Sequence, residues 1–148
     1  MNKMKENMIR NHTFLKNMCY NKKEKTGGGV MQKKISVKLL SNEEKIVYDV
    51  IGDFSSDNNE LYYEEEDMYK TSVIYNFLTN TLKRDNREMY LEYNFAEEEG
   101  KVLIKDLDQE MYLDLQVEKI TKTKNTITIK YKINGIDYKY SIRIKEEV

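Results

Sequence analysis

The stretch that decides the fold is Thr126–Ile144, which reads TITIKYKINGIDYKYSIRI. Apolar and polar residues alternate on both sides of Asn134-Gly135. A period of two belongs to a half-buried strand, because successive side chains point to opposite faces. Asn-Gly is the preferred pair for a two-residue type I′ hairpin, since both central positions need positive φ. The turn then sets the register. Ile133 faces Ile136, Tyr131 faces Tyr138, Ile129 faces Tyr140 and Ile127 faces Ile142. All four pairs fall on one apolar face, so turn chemistry and hydrophobic pattern specify the same pairing independently.

Outward from this hairpin the same period recurs. Ile35, Val37 and Leu39 alternate with Lys34, Ser36 and Lys38. Ile46, Tyr48 and Val50 follow a Ser41-Asn42-Glu43 turn, and Leu61 and Tyr63 follow a turn at Ser55 to Asn59. Val73, Tyr75 and Phe77 come next, with a short helical turn expected near the start of Tyr69 to Asn80. Met89, Leu91, Tyr93 and Phe95 follow a tight turn expected at Asp85-Asn86. Val102 and Ile104 resume after Gly100, and Met111, Leu113, Leu115 and Val117 read as one strand. The pattern predicts an all-β antiparallel meander of nine or ten strands. So long a meander must close or fold over to hide its edges. A small up-and-down β-barrel is the simplest closure; a two-sheet sandwich is the second choice.

The chain has 148 residues, one Cys, one His, no Pro and no Trp. That is one domain's worth of chain. One Cys makes no internal disulfide, and one Cys with one His falls short of a structural zinc set. No apolar run is long enough for a membrane-spanning helix.

The formal charge of −1 divides unevenly. Residues 1–30 hold seven basic and two acidic side chains, a net +5, which leaves −6 on residues 31–148. This leader also carries His12, Cys19 and the run Gly27-Gly28-Gly29. Met4, Met8, Leu15 and Met18 would share one helical face, yet no uninterrupted apolar stretch marks a secretory signal. Gly-Gly codons can hold a purine-rich ribosome-binding site, and Met31 follows closely. We therefore expect residues 1–30 to be a disordered basic leader or translated upstream sequence. The barrel domain is expected over 31–148.

The strand pattern resembles the YwiB-like family, small bacterial proteins grouped by a domain of unknown function. The residues that carry the likeness span about 33–146. They are Gly52, the Leu61-Tyr62-Tyr63-Glu64-Glu65 stretch, Thr71-Ser72-Val73-Ile74, the Leu82-Lys83-Arg84-Asp85-Asn86 turn and the closing hairpin. Asn86 stands where the family has Gly, and Lys105-Asp106-Leu107-Asp108 where it has a Thr-Pro-x-Gly-like turn. The resemblance implies a calycin-like (lipocalin-like) barrel in a bacterial cytoplasm. It implies no activity.

Chemistry candidates are few. Without His or Cys in 31–148, acid–base or nucleophilic work would fall to carboxylates, Lys, Tyr, Ser or Thr. No phosphate-binding glycine loop or nucleophile elbow is present. No catalytic residue, cofactor or metal is expected. The acidic runs Glu64-Glu65-Glu66-Asp67, Glu97-Glu98-Glu99 and Asp106-x-Asp108-x-Glu110 read as solvated charge, lacking the spacing of a calcium loop. Lys and Tyr interleave at 130–132 and 138–140, but alternation sends them to opposite faces. With the acidic domain charge, nucleic-acid binding is not expected.

Tyrosine is the informative residue. Of twelve, Tyr48, Tyr63, Tyr75, Tyr93, Tyr131, Tyr138 and Tyr140 lie on the apolar faces. Their hydroxyls need partners inside a barrel. They either line a site for a small apolar or amphipathic ligand or fill the core. The expected function is such ligand binding without enzymatic activity, with a filled structural or protein-interaction barrel as the alternative.

Overall fold

The computed structural model describes residues 29–42 and 44–147. The expectations for residues 1–28 lie outside the described residues. Eleven antiparallel strands follow in order: β1 (Val30–Ser41), β2 (Lys45–Ser55), β3 (Glu60–Glu64), β4 (Ser72–Asn76), β5 (Thr81–Asp85), β6 (Met89–Asn94), β7 (Glu99–Ile104), β8 (Gln109–Leu113), β9 (Leu115–Lys122), β10 (Thr126–Ile133) and β11 (Ile136–Glu147). No helix occurs among the described residues. The strands form one sheet in the order β8-β7-β6-β5-β4-β3-β2-β1-β11-β10-β9, curled into a nearly closed barrel.

The β10–β11 hairpin has the register its turn specifies, with Ile133 opposite Ile136, Tyr131 opposite Tyr138, Ile129 opposite Tyr140 and Ile127 opposite Ile142. Asn134 and Gly135 both take positive φ, at 50° and 82°. β11 then pairs with β1, so the last described strand lies beside the first.

The chain 111–117 is two strands, not one. Leu113 pairs with Gly100 of β7, whereas Leu115 pairs with Ile133 of β10. Asp114 alone carries the chain from one sheet edge to the other. Its N–H donates to Asn134 Oδ1 at 3.0 Å, and its carbonyl accepts from Asn134 N–H at 2.9 Å. The two-residue period passes through this corner unbroken because β8 and β9 face the same interior. Periodicity reports the face of a strand and is blind to a change of partner.

β5 occupies residues expected to form a turn. Lys83, Arg84 and Asp85 conceal its alternation, and pairing with β4 and β6 fixes it as a strand. The turn comes later, where Asn86 Oδ1 accepts the N–H groups of Glu88 and Met89, both at 2.9 Å. The expected helical turn after Tyr69 is absent, with β4 beginning at Ser72.

The barrel core joins Ile35, Val37, Leu61, Tyr63, Val73, Tyr75, Leu82, Phe95, Leu115, Ile127, Ile129, Tyr131, Tyr140 and Ile142. A smaller cluster of Ile74, Tyr90 and Leu103 lies on the opposite face of the sheet, with Tyr62 against it. β4, β6 and β7 thus bury residues on both faces.

Gly52 and Gly135 are required for different reasons. A Cβ at Gly52 would lie 3.0 Å from the Tyr62 carbonyl oxygen and 3.1 Å from Leu61 Cδ1, whereas one at Gly135 meets nothing within 4 Å. Gly135→Ala is therefore purely torsional and costs about 1–2 kcal/mol. Gly52→Val must push backbone and core apart and costs about 1–3 kcal/mol. Urea unfolding of the two variants measures both values; a neutral Gly52→Val refutes the close approach.

Candidate functional site

All seven singled-out tyrosines sit on inward register positions. Tyr63, Tyr75, Tyr131 and Tyr140 are buried, while Tyr48, Tyr93 and Tyr138 are half-buried. The Tyr63 and Tyr140 hydroxyls hydrogen-bond to each other across the barrel. The Tyr48 ring lies 6.4 Å from that of Tyr63, and the Glu65 carboxylate acts on it electrostatically. Tyr131 and Tyr138 stack at 5.5 Å, and Tyr93 packs against Tyr131 at 6.0 Å. Tyr75 stands apart, donating to Asn80 Oδ1 at 3.1 Å and meeting Phe77 edge-on.

Two residues missed from the sequence bind this group together. Arg84 on β5 lies between Val73 and Leu91 in register, so it points inward. Its Nε donates to Glu65 Oε1 at 3.0 Å, and its Nη2 reaches Oε1 at 2.5 Å and Oε2 at 2.9 Å. The Glu65 side chain is 13% exposed and that of Arg84 33%. The guanidinium acts electrostatically on Tyr48, Tyr93, Tyr131 and Tyr140, which places it among the tyrosines. Reading residues 82–86 as a turn hid Arg84, and reading 64–67 as one solvated run hid Glu65. The available signal was the Leu82-x-Arg84 spacing, which puts a cation on the apolar face once β5 is a strand.

The acidic run divides by role. Glu65 holds Arg84, while Asp67 ties the β3–β4 loop. Asp67 Oδ1 accepts Thr71 N–H at 3.1 Å and Oδ2 accepts Thr71 Oγ1–H at 2.9 Å. Burial opposes ionisation of Asp67, but the bonds from Thr71 and Lys70 outweigh it and lower its pKa. Asn86 Nδ2 donates to Thr71 Oγ1 at 3.1 Å, and Lys105 Nζ reaches Asp85 Oδ1 and the Asn86 carbonyl, each at 2.6 Å. The β3–β4, β5–β6 and β7–β8 loops are thereby linked into one rim. Glu98 of the second run accepts Val117 N–H at 3.0 Å across the seam. Among the described residues no three His, Cys, Asp or Glu side chains gather around a common point.

Desolvation raises the pKa of Tyr48, Tyr63, Tyr75, Tyr131 and Tyr140, and pushes Tyr93 up to about 12. The phenols are neutral donors and acceptors at ordinary pH. Burial works against the Arg84 charge, and the Glu65 carboxylate more than offsets this, so its pKa is raised. Around Ile35, Leu61 and Tyr75 the barrel centre is closely packed, each of the three being 0% exposed. Tyr48, Tyr93, Tyr138 and Arg84 are inward-facing side chains that stay partly accessible, and they mark one open part of the inner face, its mouth.

No family model matches the sequence, and no curated protein matches it. The YwiB protein of Bacillus subtilis, known from a crystal structure, has a similar fold. The TM-score is 0.54 and the identity 14%, over 82% of this chain and 95% of that one. At that identity the likeness establishes a YwiB-like β-barrel fold and nothing about activity.

Removing Arg84 strands the Glu65 carboxylate. Breaking a buried pair costs about 3–5 kcal/mol; with the guanidinium a third exposed, Arg84→Met should cost about 2 kcal/mol after discounting for solvent. Arg84→Met/Glu65→Gln should recover part of that in a urea double-mutant cycle; simple additivity refutes the coupling.

The tyrosines set an alkaline limit. Their native pKa values lie above the unfolded value of about 10, so their contribution is complete below pH 10 and lost as pH rises towards the native values. The share of tyrosinate absorbance at 295 nm that comes from Tyr48, Tyr63, Tyr75, Tyr93, Tyr131 and Tyr140 should therefore appear only together with loss of β circular dichroism. Ionisation of all twelve tyrosines in a folded protein contradicts this.

Proposed function

We propose that the chain is a non-enzymatic binding barrel whose mouth takes a small amphipathic molecule with an anionic end. The observation that carries this reading is Arg84, a cation at an inward register position, one-third exposed among tyrosine rings. Guanidinium groups recognise carboxylates and phosphates through paired N–H donors. Glu65 occupies that fork, and an incoming anion would exchange with it. Tyr48, Tyr93 and Tyr138 offer apolar faces with hydroxyl tips, suited to a ligand wet at one end. Neutral phenols favour recognition over general-base work. The close packing around Ile35, Leu61 and Tyr75 favours a shallow seat at the mouth.

The same close packing also supports the second reading, a structural or protein-interaction barrel that holds no ligand. A single Cys goes with a reducing, cytoplasmic setting. No helix among the described residues is long and apolar enough to cross a membrane.

Titration with 8-anilinonaphthalene-1-sulfonate should give saturable one-to-one binding that dodecanoate displaces. Arg84→Met should weaken it by at least about tenfold. No saturable binding, or binding indifferent to Arg84, overturns the reading in favour of the filled barrel.

A further inference from the structure

β2 is eleven residues long, but only Asp53–Ser55 pair with β3. Residues Lys45 to Gly52 pair with β1 on one side, and no described strand pairs with them on the other. An open strand edge is a template for another strand. The other two edges are less suited to that role. β9 carries Lys119 and Lys122, and its Val117 N–H is engaged by Glu98; β8 has five residues. On β2, by contrast, Ile46, Val47 and Ile51 are 45%, 52% and 54% exposed. Ile46 faces inward opposite Leu39, yet β3 stops short of covering it. An open groove of about 530 Å³ runs beside Asp49, Val50 and Ile51, with Glu64 and Glu66 on its far wall.

We propose that two copies of the chain pair antiparallel through this edge of β2, about a two-fold axis at Val47. In that register Val47 opposes Val47 of the second copy on the outer face. Lys45 opposes Asp49 of the second copy, and symmetry makes the charge pair twice. On the inner face Ile46 opposes Tyr48 of the second copy, also twice. Opposite charges and aliphatic–aromatic pairs are favourable cross-strand neighbours, and a self-complementary patch is what two-fold assembly requires. Moving the axis to Tyr48 sets Lys45 against Ile51 and Val47 against Asp49, which loses both charge pairs. Moving it to Ile46 sets Lys45 against Val47 and loses them as well. The segment is thus self-complementary in one register of the three. Asp49 lies 3.1 Å from Lys145 in its own chain, an exposed pair that contributes little and leaves the carboxylate available.

Sedimentation velocity of the full chain tests this. A dimer is expected at micromolar concentration. Asp49→Lys places a second lysine opposite Lys45 and should weaken the dimer by at least about tenfold; Lys45→Asp should act likewise. The double variant Lys45→Asp/Asp49→Lys should restore it. Both positions are exposed on the outer face, so circular dichroism should be unchanged. In a Cys19→Ser background, Val47→Cys should oxidise to a disulfide-linked dimer, whereas Thr121→Cys on β9 should not. A monomer at all concentrations overturns the proposal, as does a dimer indifferent to Asp49→Lys or one not restored by the charge swap.

Discussion

A sheet leaves unpaired N–H and C=O groups along both edges, and the way this chain brings its edges together governs the rest of the structure. β8 and β9 are the two edges, and they are consecutive in sequence with Asp114 between them. One residue spans at most about 3.6 Å, so the edges must converge at that corner and the sheet must curl. The exchange of backbone and side-chain hydrogen bonds between Asp114 and Asn134 anchors the corner to the β10–β11 turn. Asn134 therefore serves two ends at once, the hairpin through its positive φ and the closure through its side chain.

Curling creates an interior, and the interior explains the tyrosines. A sheet of eleven strands encloses more space than Val and Ile fill, and tyrosine reaches far inward. Its polar tip then needs a partner. Tyr63 and Tyr140 satisfy each other, and Tyr75 uses Asn80. Where β3 parts from β2, the inner face opens, and there the chain places the Arg84–Glu65 pair. The same parting leaves the Lys45–Gly52 edge of β2 without a described partner. The mouth and the proposed dimer edge thus have one origin, and Tyr48 belongs to both.

Much of the fold was legible because a strand's period reports which face is buried. The hairpin at Asn134-Gly135 could be read to the residue pair, since turn and pattern agreed. β5 was not legible: only Leu82 among its five residues is apolar, and three consecutive charges look like a turn. The break at Asp114 was hidden for the opposite reason, an alternation too regular to reveal a change of neighbour. The seven inward tyrosines were identified from their positions alone. Which of them gather at one mouth, and which stands apart beside Asn80, depends on strands distant in sequence.

The sequence by itself determined the class of structure, the inward face of nearly every strand, and the pairing of the last hairpin. These are local consequences of side-chain alternation and of the few residues that accept positive φ. Only the tertiary structure decided that Arg84 points inward and that Glu65, nineteen residues away, neutralises it. Such a pair forms across strands, where no local pattern records it. The length over which β2 lacks a neighbour is likewise a property of the closed sheet, because it depends on where β3 ends in space.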